Sequence, residues 1–252
     1  MYKEKDSDAE KFWRYVLLHQ EGLEQELDQY GRELYFGSDV GVKDFTDAQM
    51  FFSASIDYAK KHDELTCRIL EMFQESRGYR DCLNSMPDGY HFVVDTRITH
   101  CMKGQYPSIP GWHCDEVPRN VNDDFGQPDF LSLDDNVLHW LFLLSTDDNH
   151  CNTEFLDGSI VGFPHMYGPN ELVYSQLDRR VNAGLEYGAL SAEKVPSRCF
   201  FRFDQEVIHR ATPATSDGWR LFLRVSCVKN RPIKNVIRRQ VQVYLADPSQ
   251  GW

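Results

Sequence analysis

The sequence predicts an α+β protein in which helices precede a double-sheet jelly roll or barrel. Three observations lead there. The first third sets apolar residues at helical spacing among charges. After Gly89 the texture changes to short runs rich in β-branched and aromatic residues. Clusters of Pro, Gly, Asn and Asp separate those runs. No internal repeat or low-complexity linker interrupts the chain. Residues 1–252 therefore read as a single domain, with a mainly helical part at 1–88 and a β core at 89–252.

Residues 8–30 carry Phe12, Trp13, Tyr15, Val16, Leu23 and Leu27 at roughly helical spacing, which predicts a first helix. Residues 45–76 follow Asp44 or Thr46 as caps. There Met50, Phe51, Ile56, Ala59, Leu65, Ile69 and Phe73 predict two core-facing amphipathic helices. The strands follow. Residues 90–102 alternate, 137–146 read as a buried strand, and 153–162 come after a polar turn. Residues 198–204 are short and aromatic, 219–229 strongly β, and 236–245 a further strand. A helical insert falls near 170–183, and a long loop covers 116–128.

Composition excludes several function classes. The formal net charge is −12, opposite to what a sequence-independent grip on nucleic acid or an anionic membrane needs. Arg238–Arg239 is a local basic exception. No apolar run is long enough to cross a bilayer, and the polar start MYKEKDSDAEK lacks the apolar core of a signal peptide. The seven cysteines are odd in number, irregularly spaced and free of CxxC, the pattern of reduced thiols in a cytoplasmic protein. The expected partner is a small molecule, with no nucleic acid and no membrane. The N-terminal helices either buttress the barrel or build a homodimer interface.

The chemistry-bearing residues begin at Pro110-Gly-Trp-His-Cys-Asp115. His113 and Asp115 are two apart, so on extended backbone their side chains point the same way and Cys114 points the other. One imidazole and one carboxylate then meet one metal. His209, between the 198–204 and 219–229 strands, supplies a second imidazole. Two histidines and a carboxylate on one face of an octahedron leave adjacent positions open, the facial triad of non-haem Fe(II) oxygenases. Two positions take a bidentate keto acid and one takes O2.

On the strand that follows, alternation groups Arg220, Phe222, Arg224 and Ser226 on one face and Leu221, Leu223, Val225 and Cys227 on the other. Arginines on an otherwise apolar strand are costly unless they meet anions. Guanidinium clamps a carboxylate through two parallel hydrogen bonds, and serine adds a third. A dicarboxylate such as 2-oxoglutarate presents one end to iron and one to such a clamp.

HxD, a distal His, then Arg and RxS on the next strand resemble the Fe(II)/2-oxoglutarate-dependent oxygenase superfamily. The His209–Arg220 and His209–Arg224 intervals are similar to those of the taurine dioxygenase branch, and the resemblance covers roughly residues 90–230. It implies a double-stranded β-helix, the cupin-like jelly roll, and a hydroxylase using Fe(II), 2-oxoglutarate and O2. It implies that Arg224, Arg220 and Ser226 bind the distal carboxylate and that Thr153 touches the co-substrate; of the two arginines Ser226 favours Arg224 as the main clamp, with Arg220 supporting it or binding the iron-proximal carboxylate. Related halogenases carry a small residue where this chain has Asp115, so oxidation of an unactivated C–H bond of an amino acid or natural-product intermediate is the expectation. Trp112, Arg119, Tyr106 and Gln105 flank the triad as substrate candidates, and the 116–128 loop as a lid. Of the other histidines, His139 is expected in the core, His150 in a solvated turn, and His165 without an obvious partner. Two readings compete: a cupin-like metalloenzyme that uses no 2-oxoglutarate, and a non-catalytic jelly-roll binding domain.

Overall fold

The computed structural model describes residues 16–18, 23–37, 39–119, 126–134, 136–147, 150–163 and 172–245. His165, most of the proposed 8–30 helix and the middle of the 116–128 loop lie outside the described residues. What is described is a mixed α/β fold whose strand pairs are all antiparallel.

The strands are β1 (Val16–Leu18), β2 (Glu24–Gln25), β3 (Met50–Phe52), β4 (His91–Cys101), β5 (Leu138–Ser145), β6 (Thr153–Asp157) and β7 (Ile160–Phe163). They continue with β8 (Ser191–Lys194), β9 (Phe200–Asp204), β10 (His209–Ala211), β11 (Gly218–Val228) and β12 (Val236–Arg238). A five-stranded sheet runs β2-β9-β5-β11-β4, and a three-stranded sheet runs β10-β6-β8. The pairs β1-β7 and β12-β3 flank them. Among the described residues the two sheets face each other and do not close into a double-stranded β-helix.

The helices are α1 (Val42–Asp47), α2 (Ile56–His62), α3 (Glu64–Glu75), α4 (Arg77–Ser85) and α5 (Val173–Glu186). Each of α2, α3 and α4 starts on a side-chain cap. Ser55 Oγ accepts from Tyr58 N–H, Asp63 Oδ1 from Thr66 N–H and Ser76 Oγ from Tyr79 N–H. Capping at Asp63 and Ser76 sets the breaks between α2, α3 and α4, and α2 and α3 are the two helices expected within 45–76.

Leu65, Ile69, Leu70 and Phe73 of α3 pack against Trp140 and Phe142 of β5 and Leu221, Leu223 and Val225 of β11. Phe73 is the hub, with edge contacts to Tyr79, Phe92 and Trp140. The opposite face of the sheet carries Leu141, Leu143, Phe201 and Phe203, which meet Phe155 of the three-stranded sheet. The alternation expected along 219–229 therefore holds, with the odd-numbered leucines and valine toward the helices and the arginines between the sheets.

Several expectations need correction. Residues 16–18 and 24–25 are strands, not helix, because they pair with β7 and β9; edge pairing outweighs local helical spacing. The 50–52 segment is likewise a strand paired with β12. The 153–162 run divides at Gly158, whose φ of +120° turns the chain from β6 to β7. β12 is shorter than the predicted 236–245. The helical insert near 170–183 is α5, which starts at Val173 and extends to Glu186.

Candidate metal centre

The segment 111–115 is held from two sides. Its backbone pairs with β10, His113 N–H donating to the His209 carbonyl (3.0 Å) and His209 N–H to the His113 carbonyl (2.9 Å). On the other side α5 grips it. The Trp112 N–H donates to Asp178 Oδ1 (3.1 Å), the Trp112 indole to Asn182 Oδ1 (3.2 Å), and the Tyr174 hydroxyl to the Cys114 carbonyl (2.9 Å). Arg210 lies over the Trp112 ring at 4.2 Å.

This pairing brings His113, Asp115 and His209 together. One potential ligand atom from each lies within 4.8 Å of the others, and His209 Nε2 is 3.4 Å from Asp115 Oδ2. His113 Nδ1 sits 3.0 Å from the Gly111 carbonyl and His209 Nδ1 sits 3.1 Å from the Val207 carbonyl. A carbonyl only accepts, so each Nδ1 carries a proton and each Nε2 is the nitrogen turned toward the other ligands. That is the arrangement a divalent metal requires. Desolvation, and then the neighbouring His209, push the His113 pKa down to about 4, which keeps it neutral. Burial alone would raise the Asp115 pKa, but the Arg224 guanidinium and His209 outweigh it and hold the carboxyl well below its usual range. Cys114 points away, its Sγ 3.7 Å from the Glu206 carbonyl. The donor set of two imidazoles and a carboxylate fits a non-haem iron.

The triad stands where two cavities meet. An outer cleft of about 1150 Å³ is lined by Trp112, Arg119, Pro128, Leu172 and Tyr174. An inner chamber of about 360 Å³ between the sheets is lined by Thr153, Phe203, Arg220, Phe222 and Arg238. His113, Asp115, Glu116, Arg97, Arg224 and Arg231 line both.

The two arginines of β11 differ. Arg224 ion-pairs with Asp115, with Asp95 (3.3 Å) and with Glu116 (3.3 Å). Burial opposes its charge, but those carboxylates raise its pKa. Arg220 is 3% exposed. Its Nη2 donates to Thr153 Oγ1 at 3.2 Å, and its Nε has no hydrogen-bond partner. The expectation that Arg224 is the main clamp meets a side chain already held by three carboxylates. Arg220 faces the chamber without one.

Ser226 turns to His139, whose Nδ1 is 2.9 Å from its Oγ, and lines neither cavity. Thr153 lines the chamber and Trp112 and Arg119 line the cleft. Tyr106 and Gln105 line neither. Tyr106 pairs through its backbone with Tyr244, and Gln105 Oε1 accepts from Met102 N–H at 2.9 Å. His139 is in the core as expected, where burial and then Arg224 press its pKa to about 3. His150 is not solvated but fully buried, because the turn it sits on folds beneath Gly218, whose Cα leaves only 3.4 Å between a built Cβ and the ring.

Sequence reasoning missed Asp95, Glu116 and Arg231, which build the ion-pair network, and Tyr174, Asp178 and Asn182, which anchor the ligand segment. Arg231 donates to Asp95 (2.5 Å), Glu116 (2.7 Å) and Ser53 Oγ (2.7 Å). The alternation of β4 puts Asp95 level with Arg224, their Cα atoms paired in register, so that signal was present. Glu116 has φ +54°, which turns its carboxylate back toward the site, and nothing local announces it.

No protein-family model matches the sequence, and no curated protein matches it. Among solved structures, 89% of this chain aligns with 84% of the non-haem alpha-ketoglutarate-dependent carbocyclase SnoK from nogalamycin biosynthesis, at 12% identity and a TM-score of 0.41. EvdO2 from Micromonospora carbonacea var. aurantiaca, solved with 2-oxoglutarate, aligns over 97% of its length with 80% of this chain, at 11% identity and a TM-score of 0.36. An N-substituted L-amino acid dioxygenase from Burkholderia ambifaria AMMD aligns over 74% of its length with 77% of this chain, at 14% identity and a TM-score of 0.34. At such scores the site's own atoms have to carry the functional conclusion.

Proposed function

We propose that this chain is an Fe(II)- and 2-oxoglutarate-dependent oxygenase that hydroxylates an unactivated C–H bond of a small molecule. The observation that carries this is the position of the triad. His113, Asp115 and His209 stand at the neck between a small inner chamber ending on Arg220 and a large outer cleft.

His113 Nε2, His209 Nε2 and the Asp115 carboxylate hold Fe(II). The bound metal supplies O2 activation coupled to oxidative decarboxylation, so that R–H, 2-oxoglutarate and O2 give R–OH, succinate and CO2. The chain's own residues do the rest. Arg220 clamps the distal carboxylate of 2-oxoglutarate, with Thr153 holding the guanidinium. Arg224 fixes Asp115 and neutralises it until metal enters. Phe203 and Phe222 dry the chamber wall. Trp112 and Arg119 line the substrate side. Within this reading the two facing sheets form one jelly-roll oxygenase domain over residues 1–252, in a cytoplasmic setting suited to its thiols. A homodimer through the N-terminal part belongs to the same proposal.

Anaerobic addition of Fe(II) and then 2-oxoglutarate tests it through the visible metal-to-keto-acid charge-transfer band. The band is expected in the wild type and absent in His113→Ala with unchanged circular dichroism. Iron binding without a band would instead favour a metalloenzyme that uses no 2-oxoglutarate. No iron binding would leave the histidines structural.

A further inference from the structure

Five guanidiniums line the inner chamber, from Arg97, Arg220, Arg224, Arg231 and Arg238, against three carboxylates, from Asp95, Asp115 and Glu116. Arg224 and Arg231 take all three carboxylates between them. Arg220 is assigned above to the co-substrate. Arg97 and Arg238 remain, and among the described residues neither has an ion pair or a side-chain hydrogen bond. The Arg238 guanidinium lies over Phe52 at 4.3 Å, alongside Arg231 at 5.2 Å and Lys234 at 5.5 Å from the same ring. Burial, and then the charge of Arg97, lower the Arg238 pKa, so the two cations are close enough to repel.

Partly buried like charges are costly to hold together without an anion. The surrounding geometry is nonetheless built to keep them there. Arg97 projects from β4 in register with Phe222 of β11. Arg238 is placed by the β3–β12 pair, opposite Met50. Metal and 2-oxoglutarate together leave the surplus where it is, since one adds two positive charges and the other removes two, so Arg97 and Arg238 still lack a partner anion among the described residues. Arg97 also lines the outer cleft, whereas Arg220 lines the inner chamber alone.

We propose that Arg97 and Arg238 form a second anion subsite at the neck, which binds an oxyanion group on the substrate. The substrate class is thus an organic acid whose reactive carbon lies between that anionic end and the metal. This rests on the oxygenase reading for its chemistry, but the anion subsite is tested separately.

The probes are benzoate and phenylphosphonate, with benzamide as the neutral match, added to protein loaded with Zn(II) and 2-oxoglutarate. Binding is followed by ligand NMR line broadening. The wild type is expected to bind benzoate or phenylphosphonate at least tenfold more tightly than benzamide. Arg97→Gln should abolish that preference and Arg97→Lys partly restore it. Preference for benzoate over phenylphosphonate would mark a carboxylate substrate, the reverse a phosphorylated or phosphonylated one. Equal binding of benzamide, or unchanged benzoate and phenylphosphonate binding in Arg97→Gln, would overturn the subsite. Loss of 2-oxoglutarate binding in Arg97→Gln would overturn it too, by assigning Arg97 to the co-substrate. If the wild type gives no keto-acid band with Fe(II) yet still shows Arg97-dependent anion binding, the oxygenase reading fails and the subsite stands.

Discussion

Along β11, Leu221, Leu223 and Val225 are completely buried against the helices, while Arg220, Phe222, Arg224 and Ser226 alternate with them and face the other sheet. The helical side is apolar and aromatic. Each such side chain contributes roughly 1.5–3 kcal/mol by leaving water, and edge-to-face rings around Phe73 add specificity. Its buried carboxylates are satisfied: Glu26 by the Trp140 indole (2.8 Å) and the Gly78 N–H (2.9 Å), and Asp63 by the Thr66 N–H (2.6 Å). The approach there is so close that a Cβ on Gly78 would overlap Glu26. The site face instead buries guanidiniums, carboxylates and imidazoles, each of which costs free energy to desolvate. Some of its polar atoms, including Arg220 Nε and Arg224 Nε, lack partners. On one face the buried charges are partnered by its own atoms, and Thr66 Oγ1 is left without a partner among the described residues. On the other, guanidinium nitrogens are left open toward a chamber, and that contrast separates scaffold from site.

Truncating the hub of the scaffold face tests the division most strongly. Phe73→Ala removes a fully buried ring and should cost about 3–5 kcal/mol of stability, read from the urea midpoint. Below that midpoint the folded protein should keep its keto-acid band at the wild-type 2-oxoglutarate concentration. A loss of the band without a loss of stability would mean that the two faces are not separable.

Next in size is the clamp. Arg220→Gln should raise the 2-oxoglutarate concentration for half-maximal band by roughly 10- to 100-fold, the equivalent of ~1.5–3 kcal/mol for hydrogen bonds to a charged group. Its stability should hold or improve, because a buried cation without an anionic partner is removed. An unchanged requirement would return the clamp to Arg224 despite its three carboxylates.

The same contrast explains what could be read in advance. Period-two alternation assigned β11 and β4, because a strand buried on both faces still segregates its arginines from its leucines, while β5 was legible as a short buried apolar run. HxD and the distal histidine gave the ligands, since two residues on extended backbone point one way whatever the fold. The ion-pair network was not legible. Glu116 depends on a left-handed backbone, and Arg231 reaches in from beyond the end of β11 to Ser53, 178 positions away. The strand at the start of the 45–76 stretch was missed because β12, far along the chain, recruits β3 out of it.

Ser226 is where the two faces are hardest to tell apart, and it carries the smallest expected effect. It lies on the site face by alternation, two residues from Arg224, and resemblance alone assigns it to the co-substrate. Its hydroxyl, however, meets the Nδ1 of His139 at 2.9 Å, and both residues are fully buried. His139 Nε2 already lacks a partner, so Ser226→Ala would leave the ring without any hydrogen bond. That should cost about 1–2 kcal/mol of stability. With His139 still neutral and stacked 5.1 Å from Phe203, the chamber keeps its shape and the 2-oxoglutarate requirement should stay within about twofold, since no hydrogen bond to the co-substrate is removed. A rise comparable to that of Arg220→Gln would show that Ser226 leaves His139 when the dicarboxylate enters. The boundary between scaffold and site would then move one hydrogen bond deeper, to His139 itself.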